Sequence, residues 1–373
     1  AGAVSDPASQ AILWSNYANS LKLLGDLESA RAALERSWEL LPPEQKEKTG
    51  NTAPTQGARI QALLAELALE RGQEAEAQEH IRAAEALDGA PLGLDGLYFH
   101  SIKARCLVAE GQSDAGAASL DVAIHNLSYM LERGPSLPAW ESLLQGWAHL
   151  DQRAIRLRLE GRAADRFEQA LLRAERAKGR ILAWLEHWRD PQSAERALSL
   201  DRQVEALAAA RRWLAARPGR RILSLYATTE GLGVFSLDGD GRARGAWLPD
   251  FDYEVWRKDT WEPWETLLAQ SAAGPNDYVA RLAGALTESL LDAAGAWLWR
   301  ADQDLATGGT DLIIIPHRAF RSLPLAHSRL PSGRRLSELF ESAVILPSLA
   351  DLAQSLGREL AERQDGPAAL ADA

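Results

Sequence analysis

A single cysteine in 373 residues, Cys106, leaves no partner for an intrachain disulfide and no thiolate cluster for a metal. That excludes a disulfide scaffold and a cysteine zinc site, and it fits a reducing compartment. Long apolar runs are also missing: none approaches the roughly 18 to 20 residues needed to cross a bilayer. The amino end has no basic region followed by an apolar one, so a cytoplasmic protein is expected. Cations are the scarcer charge, with 41 Lys and Arg against 52 Asp and Glu and a formal net charge of -11. A general nucleic-acid surface needs a local cationic excess and is therefore disfavoured. Two basic runs, "RAERAKGR" at 173 to 180 and "RPGRR" at 217 to 221, read as solvated faces. No cofactor, metal or membrane contact is expected.

What remains is an ordinary globular composition, 46% hydrophobic and 25% charged, in a chain long enough for two or three domains. Residues 11 to 42, "AILWSNYANSLKLLGDLESARAALERSWELLP", form a helical hairpin by pattern. Gly25 and Asp26 make its turn, Ala18 and Ala30 let the helices approach, and Pro42 ends it. The spacing returns at Gly72, with Ala65, Ala77, Ile81 and Ala84. It returns again at Gly111, with Ala104, Leu120 and Ala123, where Gly116 fills the second small position.

This pattern resembles the tetratricopeptide repeat, most fully over 11 to 42, where Trp14, Tyr17, Ala18, Leu21, Gly25, Asp26, Ala30, Leu34 and Pro42 fall on the motif. The polar connector "PPEQKEKTGNTAPTQG" (42 to 57) loops out between the first two repeats. Such an array either presents a concave face to a protein partner or only props up its neighbour. The repeats are assigned to 1–137 and further long helices that continue the solenoid to 138–216, with Phe167, Leu171, Ala174, Ala177 and Ile181 as a buried stripe. After "RPGRR" the grammar changes. "RILSLYATTEGLGVFSLDGDG" reads as hairpins, and "DLIIIP" and "ESAVILPS" read as buried strands of an α/β domain over 217–373.

The repeats, the "ERAKGRIL" helix, that hairpin, "DLIIIPHRAFRSLPLAHSRL" and "LFESAVILPSLADL" follow one another as in CHAT proteins, which the chain resembles from about 165 to 356. The resemblance implies a caspase-like cysteine endopeptidase that is switched on by a partner and cleaves a protein substrate. It implies a bacterial antiviral setting, with a CRISPR effector, a gasdermin-like protein or the remaining protease chain as partner. It also implies a His/Cys dyad after two successive strands downstream of "ILPSLADL".

No histidine follows His327 and no cysteine follows Cys106, so the dyad is expected beyond Ala373 and no catalytic residue is assigned within the chain. The chain is then the front part of a larger enzyme, one piece of a processed protease, or an inactive form; the alternative is a non-enzymatic adaptor with a degenerate remnant.

By the resemblance, His317 and Pro324 shape the turn after the strand, with Arg318 standing where glycine is usual, so this turn should not depend on a positive φ. Cys106 should be packing rather than nucleophile. A Ser322, His317, Asp311 triad lacks a nucleophile elbow. Of thirteen tryptophans, Trp247, Trp256, Trp261 and Trp264 crowd one segment and read as core more readily than as a docking surface.

Overall fold

The structure, a computed structural model, describes residues 6–46, 56–87, 93–133, 137–187, 200–272 and 277–356. The chain divides into two compact units, Ala1–Leu157 and Arg158–Ala373.

The first unit is helical. Helices α1 (Pro7–Leu23) and α2 (Leu27–Leu40) pair, and after the single turn α3 (Pro43–Lys46) so do α4 (Gln56–Glu70) with α5 (Glu74–Leu87) and α6 (Gly93–Ala109) with α7 (Ser113–Arg133). Helix α8 spans Leu137–Glu160. Asp6 caps α1 by accepting from the Ser9 amide at 3.0 Å, and Asp26 caps α2 through the Ser29 amide at 3.1 Å.

All three hairpins turn in one way. Gly25, Gly72 and Gly111 take φ of +82°, +71° and +76°. The amides that follow them, of Asp26, Gln73 and Gln112, donate to the carbonyls of Leu21, Ala68 and Leu107 at 3.0, 2.8 and 2.9 Å. That is the Schellman closure, which a left-handed glycine permits without steric cost. Ala18, Ala30, Ala65, Ala77 and Ala104 are buried at the helix contacts. At Gly116 a Cβ would stand 3.2 Å from the Ala104 carbonyl oxygen and 2.8 Å from Val108 Cγ2, so the third hairpin needs glycine where the other two take alanine. Pro42 follows α2 half-buried, and its carbonyl accepts from Gln45. Trp14 is 39% exposed and rests edge-on against the exposed Tyr17. Connector residues 47–55 lie outside the described residues.

The second unit begins with α9 (Arg166–His187) and α10 (Leu200–Ala215), which precede a five-stranded mixed sheet. Leu171 and Ala174 bury the stripe of α9 expected from the sequence, with Phe167 and Ala177 half-buried; the Ile181 side chain lies outside the described residues. So do residues 188–199.

Strands β1 (Arg221–Ala227), β2 (Leu232–Leu237) and β3 (Ala243–Leu248) form an antiparallel meander. After the short helix α11 (Tyr253–Trp256), a π-turn, α12 (Glu262–Ala272) and α13 (Asp277–Ala301), strand β4 (Gly309–Ile315) joins β1 in parallel. Behind one further turn, α14 (Leu336–Leu339), strand β5 (Phe340–Ile345) joins β4, also in parallel, giving the order β3-β2-β1-β4-β5.

Trp261 and Trp264 are buried in this unit's core, Trp256 stacks on Phe320 at 4.7 Å between ring centres, and Trp247 covers Gly231 from β3. "DLIIIP" is a buried strand, as its composition suggests. "ESAVILPS" is not: β5 lies at the sheet edge with Val344 49% and Ile345 38% exposed, because nothing among the described residues pairs with its outer side.

Candidate functional site

In sheets with parallel strands, chemistry gathers beyond the carboxyl ends of the strands, where the chain leaves the sheet. Here the end of β4, Ile315, lies beside Ser224, and β1 runs three residues further, to Ala227. Pro316 and His317 follow β4. The His317 Nδ1 accepts the Ala227 amide at 3.0 Å, and its ring lies flat on Tyr226 with centres 4.6 Å apart. An Nδ1 that accepts leaves the proton of a neutral imidazole on Nε2. Burial, then the charges of Lys178, Arg318 and Arg321, hold this imidazole well below its ordinary range. His317 is thus a neutral tie between the ends of β4 and β1. Pro324, seven residues on, is exposed and accepts from the His327 amide at 2.8 Å within a short 3-10 turn.

Arg318 overturns one expectation. It takes φ of +53°, the one non-glycine residue with positive φ among the described residues, so the turn does use a left-handed residue although glycine is absent. Its guanidinium stacks 4.6 Å over the Tyr253 ring and sits 3.8 Å from Glu254. Those contacts offset the roughly 1–2 kcal/mol that the left-handed region costs an L-residue.

Beneath this turn lies a cluster that pattern reading missed. Lys178 on α9 is buried; its Nζ donates to Glu175 Oε1 at 2.7 Å and to Ser224 Oγ at 2.8 Å, and stands 3.5 Å from the Ile315 carbonyl. Ser224 donates to Glu175 at 2.9 Å, and Glu175 Oε2 accepts the Leu349 amide at 3.0 Å. One ion pair, with both side chains 1% exposed, thereby joins α9, the middle of β1, the end of β4 and the segment after β5. Burial pushes the Lys178 ammonium below its ordinary range, with Glu175 opposing.

"RAERAKGR" had read as a solvated run. Positions 175 and 178 nevertheless share one helical face with buried Leu171, and that spacing is the available signal. "RPGRR" is likewise engaged: Arg217 reaches Glu341 at 2.7 Å, Arg220 reaches Asp311 at 2.9 Å, and Arg221 pairs with buried Asp302.

The Ser322, His317, Asp311 set is not brought together. Asp311 sits near the start of β4, bonded to Arg220 and to Ser342 at 2.8 Å, while His317 follows the strand's end. Six residue steps of extended chain separate them by on the order of 20 Å. Cys106 is buried in the helical unit and its thiol is pushed up to about 11 by burial, which makes it a poor nucleophile. Among the described residues no group of three metal-ligating side chains converges, and no helix is long and apolar enough to cross a membrane.

In the helical unit, α1, α4 and α6 meet around one carboxylate. Glu66 accepts from Lys22 at 2.6 Å, from Tyr98 and from Arg105 at 3.4 Å. Burial, with the Glu66 charge, drives the Tyr98 phenol far above its ordinary range, so it is a fixed donor.

The fold therefore defines a helical-repeat region followed by a mixed five-stranded sheet domain. No family of known proteins matches the chain, and no curated protein is significantly similar to it.

Proposed function

We propose that the chain is the sensor array and non-catalytic front part of a caspase-like cysteine endopeptidase of the CHAT type, with its His/Cys dyad on strands that follow β5. In this reading a protein partner engages the inner face of the helical repeats and a second protein is the substrate. A CRISPR effector or a gasdermin-like protein is the kind of partner the sequence resemblance suggests, in a bacterial cytoplasm.

The observation that carries the reading is the edge formed by β5. A parallel strand ending "AVI" has the composition of a strand covered on both faces, yet Val344 and Ile345 are open. A sheet continued by further parallel strands, with the crossover helices such strands require on its faces, would cover both. The carboxyl ends of those strands would lie beside the turn held by His317, where a histidine and a cysteine could face one substrate. His317 acts there as a positioning residue, and Cys106 takes no part.

The test is to express the reading frame continued past residue 373, add a candidate activator, and follow cleavage of co-purified proteins. Activity that disappears when a cysteine following the next apolar strands is changed to alanine supports the proposal. Activity that survives that change, or a frame without such a histidine and cysteine, replaces it with the adaptor reading.

A further inference from the structure

Each later hairpin of the helical unit docks on its predecessor through one stripe of its first helix. In α4 that stripe is Ile60, Leu63, Leu64 and Leu67, which share a core with Ala30, Ala33 and Leu34 of the first hairpin. In α6 it is Phe99, Ile102 and Cys106, which share a core with Ala65, Ala77 and Ile81 of the second. Counted back from the turn glycines, the same stripe of α1 is Leu13, Asn16, Tyr17 and Ser20, and all four are exposed. Leu23 and Leu24, 79% and 82% exposed, extend the face by a turn, and exposed Ile12 borders it. Among the described residues, six large apolar side chains lie open between Ile12 and Leu24, and no other helix opens more than one. A contiguous apolar face of this kind on a globular unit marks a contact surface.

Polarity and charge say what covers it. Asn16 and Ser20 stand where α4 has Leu63 and Leu67 and where α6 has Ile102 and Cys106. A hairpin fixed there, as the later ones are, would bury a side-chain amide and a hydroxyl. The face therefore suits a contact whose two sides also stand in water. From Pro7 to Leu24 the only ionic side chain is Lys22, and Glu66 holds it at 2.6 Å. The neighbouring α2 carries Glu28, Arg31, Glu35, Arg36 and Glu39. In a contact between identical surfaces every charge near the axis approaches its own copy, and here each chain has a formal net charge of -11. A face without charge is what a second copy of the chain requires.

We infer that the chain forms a twofold dimer through α1, with the two helices antiparallel and the axis crossing them level with Ala18. Ile12 and Leu13 of one copy then meet Leu24 and Leu23 of the other, so the apolar ends of the face cover each other. Between them the Asn16 amide meets the Ser20 hydroxyl of the other copy, twice, which gives each a partner for hydrogen bonding. Antiparallel helices also set opposite dipole ends side by side. The contact does not depend on the peptidase reading.

The test is sedimentation of the full chain over about 1 to 100 µM, the range in which a contact of one helix per copy should dissociate. The parent should pass from monomer to dimer. Asn16→Asp with Ser20→Asp places like charges on both faces and should weaken association about a hundredfold, as should Asn16→Lys with Ser20→Lys. An equal mixture of these two variants should associate at least as well as the parent. Its recovery would also show that both variants are folded. Asn16→Asp with Ser20→Lys in one chain should dimerise alone, because antiparallel helices bring opposite charges face to face. Association through the edge at β5 is unmoved by any of these changes.

A parent that stays monomeric throughout the range overturns the inference, as does association that persists in either like-charged variant alone. A mixture no better than its components overturns it too. Dissociation of the chain with opposite charges at 16 and 20 overturns the antiparallel arrangement.

Discussion

Strands β3 and β5 close one sheet on opposite sides, and they are protected differently. Along β3 every residue is buried or half-buried; Arg244 reaches Asp302 at 3.4 Å and Asp304 at 2.6 Å, and Leu159 would stand 2.8 Å from a Cβ at Gly245. A charged, covered margin of this kind is how edge strands resist pairing with other chains. On β5 the charge is confined to the amino end, where Glu341 meets Arg217, and the exposed pair Val344 and Ile345 follows. Successive strand residues point to opposite faces, so among the described residues both faces of the sheet are only partly covered beside this edge. The carboxyl half of β5 thus lacks the charge that protects an edge, on a strand parallel to its neighbour, which is the feature the proposed continuation of the sheet would explain.

The strongest way to break the asymmetry is to cut what ties the β5 side to the helices. Lys178→Met leaves Glu175 buried without its cation and should cost about 3–5 kcal/mol in urea unfolding. Glu175 also holds the Leu349 amide and Lys178 stands at the Ile315 carbonyl, so amide exchange should rise over 340–352 more than over 232–248. The double variant Lys178→Met, Glu175→Gln should recover much of the loss. Equal exchange at both edges would show that the buried pair does not discriminate between them.

The His317 tie gives the next largest effect, through pH. Its folded-state affinity for protons is lowered, so below about pH 6.5 the unfolded chain takes up a proton that the folded chain refuses, and stability falls with falling pH. The slope from one such group is about 1.4 kcal/mol per pH unit. His100, which burial pushes down to about 4, adds a slope of the same sign in the helical unit, so the comparison is with His317→Asn, in which only the His317 contribution is gone. Parallel pH profiles for the two proteins would mean that His317 titrates normally.

The turn glycines, the small residues at 18, 30, 65, 77 and 104, the hairpin and the strand at 311 were legible in the sequence because each is a local requirement repeated at a fixed spacing. Three things were not. Glu175 and Lys178 looked like a solvated face, since charge dominates composition and only their register with Leu171 placed them inside. Apolar β5 looked buried, since composition records what a strand is suited to and not whether a neighbour is present. The open face of α1 shows only against its counterparts in α4 and α6, and no single stretch encodes it.

At the open edge itself the expected change is small in stability and large in association. Val344→Lys with Ile345→Lys supplies the charge that β5 lacks, and unfolding free energy should move by less than about 0.5 kcal/mol. Sedimentation should show less self-association than the parent at the same concentration. In the proposed longer enzyme the same pair should abolish cleavage by blocking the next strand. A loss of several kcal/mol in the chain alone would mean that the edge is already covered.

A near-zero effect for one substitution, set against a loss for another, distinguishes the turns that lead to the two edges. The chain enters β3 through Gly241 at φ +69°, and leaves β4 toward β5 through Arg318 at φ +53°. Arg318→Gly relieves about 1–2 kcal/mol of left-handed cost, but it gives up the stack on Tyr253, about 0.5–1 kcal/mol, and adds unfolded-state freedom worth roughly 0.5–1 kcal/mol. The three nearly cancel, so unfolding should stay within about 0.5 kcal/mol of the parent. Arg318→Val keeps the strain, loses the stack and adds a β-branch that the left-handed region disfavours, so it should lose about 2 kcal/mol. If valine is tolerated as well as glycine, the turn does not need its positive φ, and the difference between the two sides of the sheet lies in the strands alone.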